Sequence, residues 1–203
     1  MQISAALRAD SVLAGLPSTF SYSEARAGGL SERRLYALRD AGVLDQLGRG
    51  LFRRVGSAAE QADPDLLEIA LRAPRATLCL TTALARHALS DAIPAAIDVA
   101  LPRGQRHPRT AAPASWHAFA ADTFDLGRDE LRLTDEASIG LYSPQRCIVD
   151  AFRLRHLEGP ETAIEALRRW LRRRGSQPAT LLALARAFPK AEPALRAALE
   201  ILL

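Results

Sequence analysis

Residues 28–56 read "GGLSERRLYALRDAGVLDQLGRGLFRRVG", a short helix followed by two short strands around a Gly-Arg-Gly turn. Ser31 stands where a helix N-cap belongs, because its hydroxyl can accept from an unpaired amide of the first turn. Leu30 before it and Leu35 after it have hydrophobic-staple spacing. Gly42 marks the end of that helix. "VLDQL", "GRG" and "LFRRV" then predict a hairpin, with glycine supplying the positive φ of a tight turn.

On the N-terminal side, "FSYSEARAGG" predicts a short extended piece, one or two helical turns and a break. Residues 2–14 predict a first helix, with Ile3, Leu7 and Val12 or Leu13 on one side. Pro17 in "LPST" ends it, since proline cannot continue the hydrogen-bond ladder. Helix, strand, helix, helix, hairpin is the order of a winged helix-turn-helix, here filling residues 1–56.

Placed at about 100° per residue, Leu35 and Leu38 share the core side of the helix. Arg33, Tyr36, Ala37 and Asp40 point away, with Arg34 and Arg39 on the flanks. Arginine, tyrosine and a small alanine on the outward face suit a recognition helix reading base edges in the major groove. The flanking arginines suit phosphates. Arg49 at the hairpin tip, with Arg53 and Arg54 beyond it, is placed as a wing on the backbone or minor groove. Six arginines face only Glu32, Asp40 and Asp45 in residues 31–56, an excess of +3 within a net charge of +4. A solvated arginine-rich helix explains the charge alone; joined to the winged-helix order, the charge favours double-stranded DNA.

Residues 57–63, "SAAEQAD", are small and polar and predict a linker to a second domain, residues 57–203. Asp63-Pro64 opens a helix to about Arg72. "ATLCL" and "AIDVAL" predict strands on either side of a helix in "TTALARHAL". "SWHAFA", "TFDLG", "ELRLT" and "IGLY" predict pieces of an antiparallel sheet. Ser143-Pro144 caps a helix to about Arg155, and further helices are expected near 160–174, 178–188 and 192–202. The fold class is thus α+β: a winged helix-turn-helix, then a mixed domain ending in helices.

The chain has 203 residues, 48% of them hydrophobic, enough for two small cores. Lys190 is the only lysine, which leaves 26 arginines among 27 basic residues. Genomic GC bias explains most of that preference, so only local clusters carry functional weight. Cys79 and Cys147 sit in apolar runs without a CxxC pair, which argues for a reducing compartment and against zinc. With no apolar run near the ~18 residues of a span and no signal-peptide layout, the expected location is cytoplasmic.

The run "FSYSEARAGGLSERRLYALRDAGVLDQLGRGLFRRVG" resembles the N-terminal winged helix of AbiEi-type antitoxins. Their pattern runs "FT-x-x-EA-x-x-x-G-(V/L)-S" into "L-x-x-L-x-x-x-G-x-L-x-x-L-x-R-G-(V/L)-(Y/F)". The likeness continues in "DPDLLEIALRAPRATLCLTTALARHALSDAIPAAIDVALPRG" and "LYSPQRCIVDAFRLRH". Tyr22 departs from it, standing where a small residue is usual, and after Arg174 the likeness is one of helical character alone. The resemblance implies a bacterial type IV toxin–antitoxin regulator. Its N-terminal domain would repress its own promoter at inverted repeats, as two copies on DNA. Its C-terminal domain would counteract a nucleotidyltransferase-like toxin without needing a stable complex with it.

Elsewhere, "LPRGQRHPR" gathers Arg103, Arg106, His107 and Arg109 without an acid, either a second basic surface or a solvated loop. His87, His107, His117 and His156 lack metal-ligand spacing, and Trp116 and Trp170 read as core or interface. Asp150 lies at helical spacing from Arg146 and Arg153, as a local ion pair does. No P-loop, nucleotidyltransferase motif or nucleophilic triad occurs, so no catalytic residue, metal or cofactor is expected. Two other readings stay open. One is a stand-alone winged-helix regulator whose second domain senses a ligand or dimerises. The other is a metal-dependent nucleic-acid-processing enzyme using Asp122, Asp125, Asp129, Glu130, Asp135 and Glu136.

Overall fold

The computed structural model describes residues 12–203. The first helix expected over 2–14 lies outside the described residues apart from 12–14, which are helical. Then come β1 (Thr19–Ser21), α1 (Tyr22–Ala27), α2 (Glu32–Asp40), β2 (Leu44–Gly48) and β3 (Leu51–Arg54). The strands form one antiparallel sheet in the order β1-β3-β2.

Local chemistry explains these elements. Ser21 and Glu24 form a reciprocal capping box on α1: the Ser21 N–H donates to Glu24 Oε2 at 2.7 Å and the Glu24 N–H to Ser21 Oγ at 3.2 Å. Ser31 caps α2 by accepting from the Arg34 N–H at 3.3 Å. Leu30 and Leu35 are both buried, with Leu13, Phe20, Ala25, Leu38, Leu44 and Phe52. Phe20 and Phe52 are partners in the β1–β3 register and stack with ring centroids 6.2 Å apart.

The chain divides into two compact units. Among the described residues the first comprises 12–74, 108–112 and 132–138, and the second 75–107, 113–131 and 139–203. The expected division at residue 56 falls inside the first unit, and residues 57–63 are not a free linker. A 3-10 turn, Ala58–Gln61, occupies them and buries Ala59. Arg53 Nη1 donates to the Ala59 and Ala62 carbonyls, and the Gly56 N–H to Glu60 at 2.7 Å. Short side chains let this stretch lie against the hairpin, and sequence polarity alone cannot distinguish that from a tether. The first unit continues with α3 (Pro64–Arg72), capped by Asp63, whose Oδ1 accepts from the Asp65 and Leu66 amides.

The second unit holds β4 (Thr77–Leu78), α4 (Leu80–Arg86), β5 (Ile97–Pro102), β6 (Ala114–Phe119), β7 (Arg128–Arg132) and β8 (Ser138–Tyr142), in the sheet order β6-β5-β4-β8-β7. Some of these strands reach into the segments counted with the first unit. The sheet is mixed: β4 pairs antiparallel with β5 but parallel with β8, and β5 pairs parallel with β6, so "SWHAFA" does not join the antiparallel sheet expected of it but lies parallel on β5, at the edge opposite β7. Residues 103–113 cross over to permit that pairing, and strand periodicity is blind to strand direction.

"TFDLG" is a run of turns, not a strand. Its Thr123 and Leu126 carbonyls accept from Arg146 Nη1 at 2.7 and 2.6 Å, which curls the segment around a guanidinium. Arg146 lies on α5 (Pro144–Arg153), the central helix of the second core. The helix expected to run to Arg155 ends at Arg153, turns at Leu154 and resumes as α6 (Arg155–Glu158). Helices α7 (Pro160–Leu171), α8 (Pro178–Ala185) and α9 (Glu192–Leu202) follow, packing Leu167, Trp170, Leu181 and Leu195 on Cys147, Ile148 and Phe152. The Arg146–Asp150–Arg153 pairing read from helix spacing is present, with Arg146 and Asp150 buried and Arg153 half-buried: Arg146 Nε donates to Asp150 at 2.9 Å and Arg153 Nε at 3.0 Å.

Candidate nucleic-acid interface

Helix α2 buries Leu35 and Leu38 and leaves Glu32, Arg33, Ala37 and Asp40 exposed. Arg33 has no ion-pair or hydrogen-bond partner among the described residues. A free guanidinium beside a small alanine is a surface that a base edge can approach closely.

Tyr36 does not point away as expected. It is half-buried, its ring edge-on to Phe52 with centroids 6.0 Å apart and the Arg39 guanidinium 4.8 Å above its centre. An aromatic ring at the border of an apolar stripe gains more from the core than from water. Arg39 also holds Asp40 Oδ1 at 2.7 Å and Gln46 Oε1 at 3.1 Å, so it joins α2 to β2. Arg34 is half-buried, and its Nε is enclosed without a partner.

Tyr22, the departure from the family pattern, has a place in this surface. Its hydroxyl donates to Glu32 Oε2 at 3.1 Å and its N–H to the Gly50 carbonyl at 2.7 Å. Desolvation, then the Glu32 bond, raises the phenol above its ordinary range. One residue thus links the start of α2 to the hairpin tip.

The tip is Arg49-Gly50, with Gly50 at φ +69° as the turn requires. Arg49 is exposed and unpaired among the described residues. Its carbonyl accepts from Arg72 Nη2 at 2.7 Å, and Arg72 Nε donates to Glu68 Oε1 at 2.8 Å. The hairpin is therefore fastened to α3, not a loose flap.

Arg53 and Arg54 are engaged inside the unit. Arg53 is only 9% exposed, paired with Asp45 at 3.1 Å besides its two carbonyls. Arg54 is half-buried and donates from Nη2 to the Leu16 carbonyl at 3.2 Å. Paired cations inside a fold are structural groups first. Of the eight positions singled out as DNA-binding, Arg33, Ala37 and Arg49 remain fully exposed.

Sequence reasoning missed Glu68, buried to 1% exposure in α3. The signal was present in "DLLEIAL": one acid inside an apolar helical run needs a partner. Of the basic loop, Arg103, Arg106 and Arg109 are all exposed, and His107 stacks on the half-buried Trp116 at 5.8 Å. The acids of residues 122–136 disperse: Asp125 pairs with Arg75, Asp135 with Arg132, and Glu136 accepts from Ser18. Among the described residues, no three His, Cys, Asp or Glu side chains gather where a metal could be held.

Residues 8–55 match the family described as transcriptional regulator, AbiEi antitoxin. The likeness to that family lies in this stretch. The match covers the α1–α2 pair and the hairpin, and it supports a DNA-binding regulatory role for them. No curated protein matches the chain in sequence. The crystal structure of the RV2827C protein from Mycobacterium tuberculosis has a similar fold, with a TM-score of 0.53 at 18% identity, over 97% of this chain and 80% of that one. Among the described residues no helix is long and apolar enough to cross a membrane.

Proposed function

We propose that this protein is an autorepressing antitoxin: the AbiEi-type unit binds inverted repeats in its own promoter, and the rest of the chain counteracts a companion nucleotidyltransferase-like toxin in the cytoplasm. The observation that carries the DNA-binding half is the pair of exposed, unpartnered arginines, Arg33 on α2 and Arg49 at the wing tip, within the matched stretch. Arg33 reads a base edge beside Ala37. Arg49 meets a phosphate, and the Arg72–Glu68 tether keeps the wing tip ordered before DNA arrives. Arg34 supports from the flank. Two copies on a two-fold repeat match a regulator with one recognition helix per chain.

The antitoxin half rests on the family and has a direct test. The full-length protein is titrated by fluorescence anisotropy against a duplex from upstream of its own gene and a random duplex of equal length. Tighter binding to the first supports the regulator. Rescue of cells expressing the neighbouring gene supports the antitoxin. A harmless neighbour would leave a stand-alone regulator in its place.

A further inference from the structure

Glu68 holds one separate piece of chain directly and a second, the hairpin tip, through Arg72. Oε1 faces the wing: a Cβ added to Gly48 would lie 2.0 Å from it, so glycine there leaves the carboxylate its space. Oε2 accepts from the backbone N–H groups of Ala111 and Ala112, each at 2.9 Å. Arg49 follows Gly48 directly, and Arg109 precedes Ala111 by two residues. The stretch Pro108–Ala112 belongs to the same compact unit as the hairpin. Thr110 Oγ1 donates to the Ala112 carbonyl at 3.0 Å and shapes the turn that presents Arg109. Arg109 is exposed and has no partner among the described residues.

We infer that Arg109 is a second tip of the wing, a phosphate-contacting side chain held beside Arg49 by the buried Glu68 carboxylate. This rests on the DNA-binding reading and adds to it a residue outside the family-matched stretch. The geometry supplies what a phosphate contact needs: an exposed cation with no acid bonded to it, two residues from a backbone anchored on the same carboxylate that borders Gly48, the residue before Arg49. Glu68 itself does not cancel the pair at the surface, because Arg72 and two amides enclose it.

Salt dependence tests the inference, because a protein that neutralises one phosphate fewer has a slope of log K against log salt shallower by about 0.9 on duplex DNA. The full-length protein and its Arg109→Ala, Arg109→Lys and Arg49→Ala variants are titrated on the upstream and random duplexes at several salt concentrations. Thermal melts confirm folding; Arg109 is exposed, so its variants are expected to melt with the wild type. The expected result is a slope shallower by about 0.9 for Arg109→Ala on both duplexes, the same for Arg49→Ala, and an unchanged slope for Arg109→Lys. A wild-type slope for Arg109→Ala beside a shallower one for Arg49→Ala overturns this inference and leaves the DNA-binding reading standing. A wild-type protein whose duplex binding is absent or insensitive to salt overturns both.

Discussion

Asp45 and Arg53 face each other across the β2–β3 register, and Arg53 Nη2 meets Asp45 Oδ2 at 3.1 Å. The same guanidinium closes over the carbonyls of Ala59 and Ala62. Arg53 therefore fastens the hairpin to the turn that follows it. Replacing it with alanine leaves those acceptors short of a donor, a loss of about 1–3 kcal/mol. Arg53→Ala is expected to lower the urea midpoint. Arg49→Ala, at an exposed turn, is expected to leave the midpoint alone and weaken DNA binding. Equal midpoints for both variants would contradict the assignment.

Arg33 is expected to carry sequence discrimination. Arg33→Ala should lose about 1–3 kcal/mol of preference for the upstream duplex over the random one, the worth of a bidentate base contact. Arg49→Ala should weaken both duplexes alike, because phosphates carry no sequence information. Uniform weakening by Arg33→Ala would move base reading elsewhere on the unit.

Glu136 accepts from the Ser18 hydroxyl at 2.6 Å and the Ser18 N–H at 2.9 Å. Those two bonds, helped by the charge of Arg54, hold its carboxyl below the ordinary glutamate range against slight desolvation. A lowered folded-state value means stability that is complete above the unfolded-state pKa and lost as pH falls through the folded one. The loss begins below about pH 4.5, the unperturbed value. Glu136→Gln is expected to be the less stable protein at neutral pH and to converge with the wild type in acid. Melting curves for both across pH 3–7, a range that spans the glutamate transition, decide it; parallel curves would count against it.

The second core encloses charge where an apolar cluster would be expected. Arg146 and Asp150 are both 0% exposed, and the guanidinium sits 4.3 Å from the Tyr142 ring centre and 4.4 Å from that of Phe188. Burial pushes the Asp150 carboxyl up, and the two arginines oppose that. Removing one member of a buried pair costs about 3–5 kcal/mol, and replacing both with apolar groups costs less. Arg146→Met should therefore destabilise more than Arg146→Met with Asp150→Leu. Additive losses in urea unfolding would show that the two residues are not coupled.

What was legible depended on whether the partner lay nearby in sequence. Ser31, Leu30 and Leu35 announced α2 because capping and stapling act within one turn. Gly48, Arg49 and Gly50 announced the hairpin for the same reason. Arg53 read as a wing cation because two of its acceptors are backbone carbonyls, which no side-chain pattern displays, and the third, Asp45, meets it only across the strand register. Tyr36 sits at the edge of an apolar stripe, where a helical wheel cannot decide between Phe52 and water. The amides that Glu68 binds are more than forty residues away. Periodicity found β5 and β6 but not their shared direction, because parallel and antiparallel strands alternate alike.

The two halves of the proposed function are expected to separate by mutation. Arg33 and Arg49 are exposed and unpartnered among the described residues, so changing both to alanine should cost little stability. Arg34 is left intact, because its enclosed Nε ties it to the packing of the unit. The full-length double variant should lose repression of a reporter driven by its own promoter. It should still protect cells that express the companion toxin, because neutralisation is assigned to the rest of the chain. Arg53→Ala sets the contrast: it acts through the fold, so any loss of repression should follow loss of soluble protein. Immunoblots for abundance accompany both assays. If the double variant reached normal abundance and failed to protect, the DNA-binding face would itself be needed for neutralisation, and the assignment of separate functions to separate parts of the chain would fall.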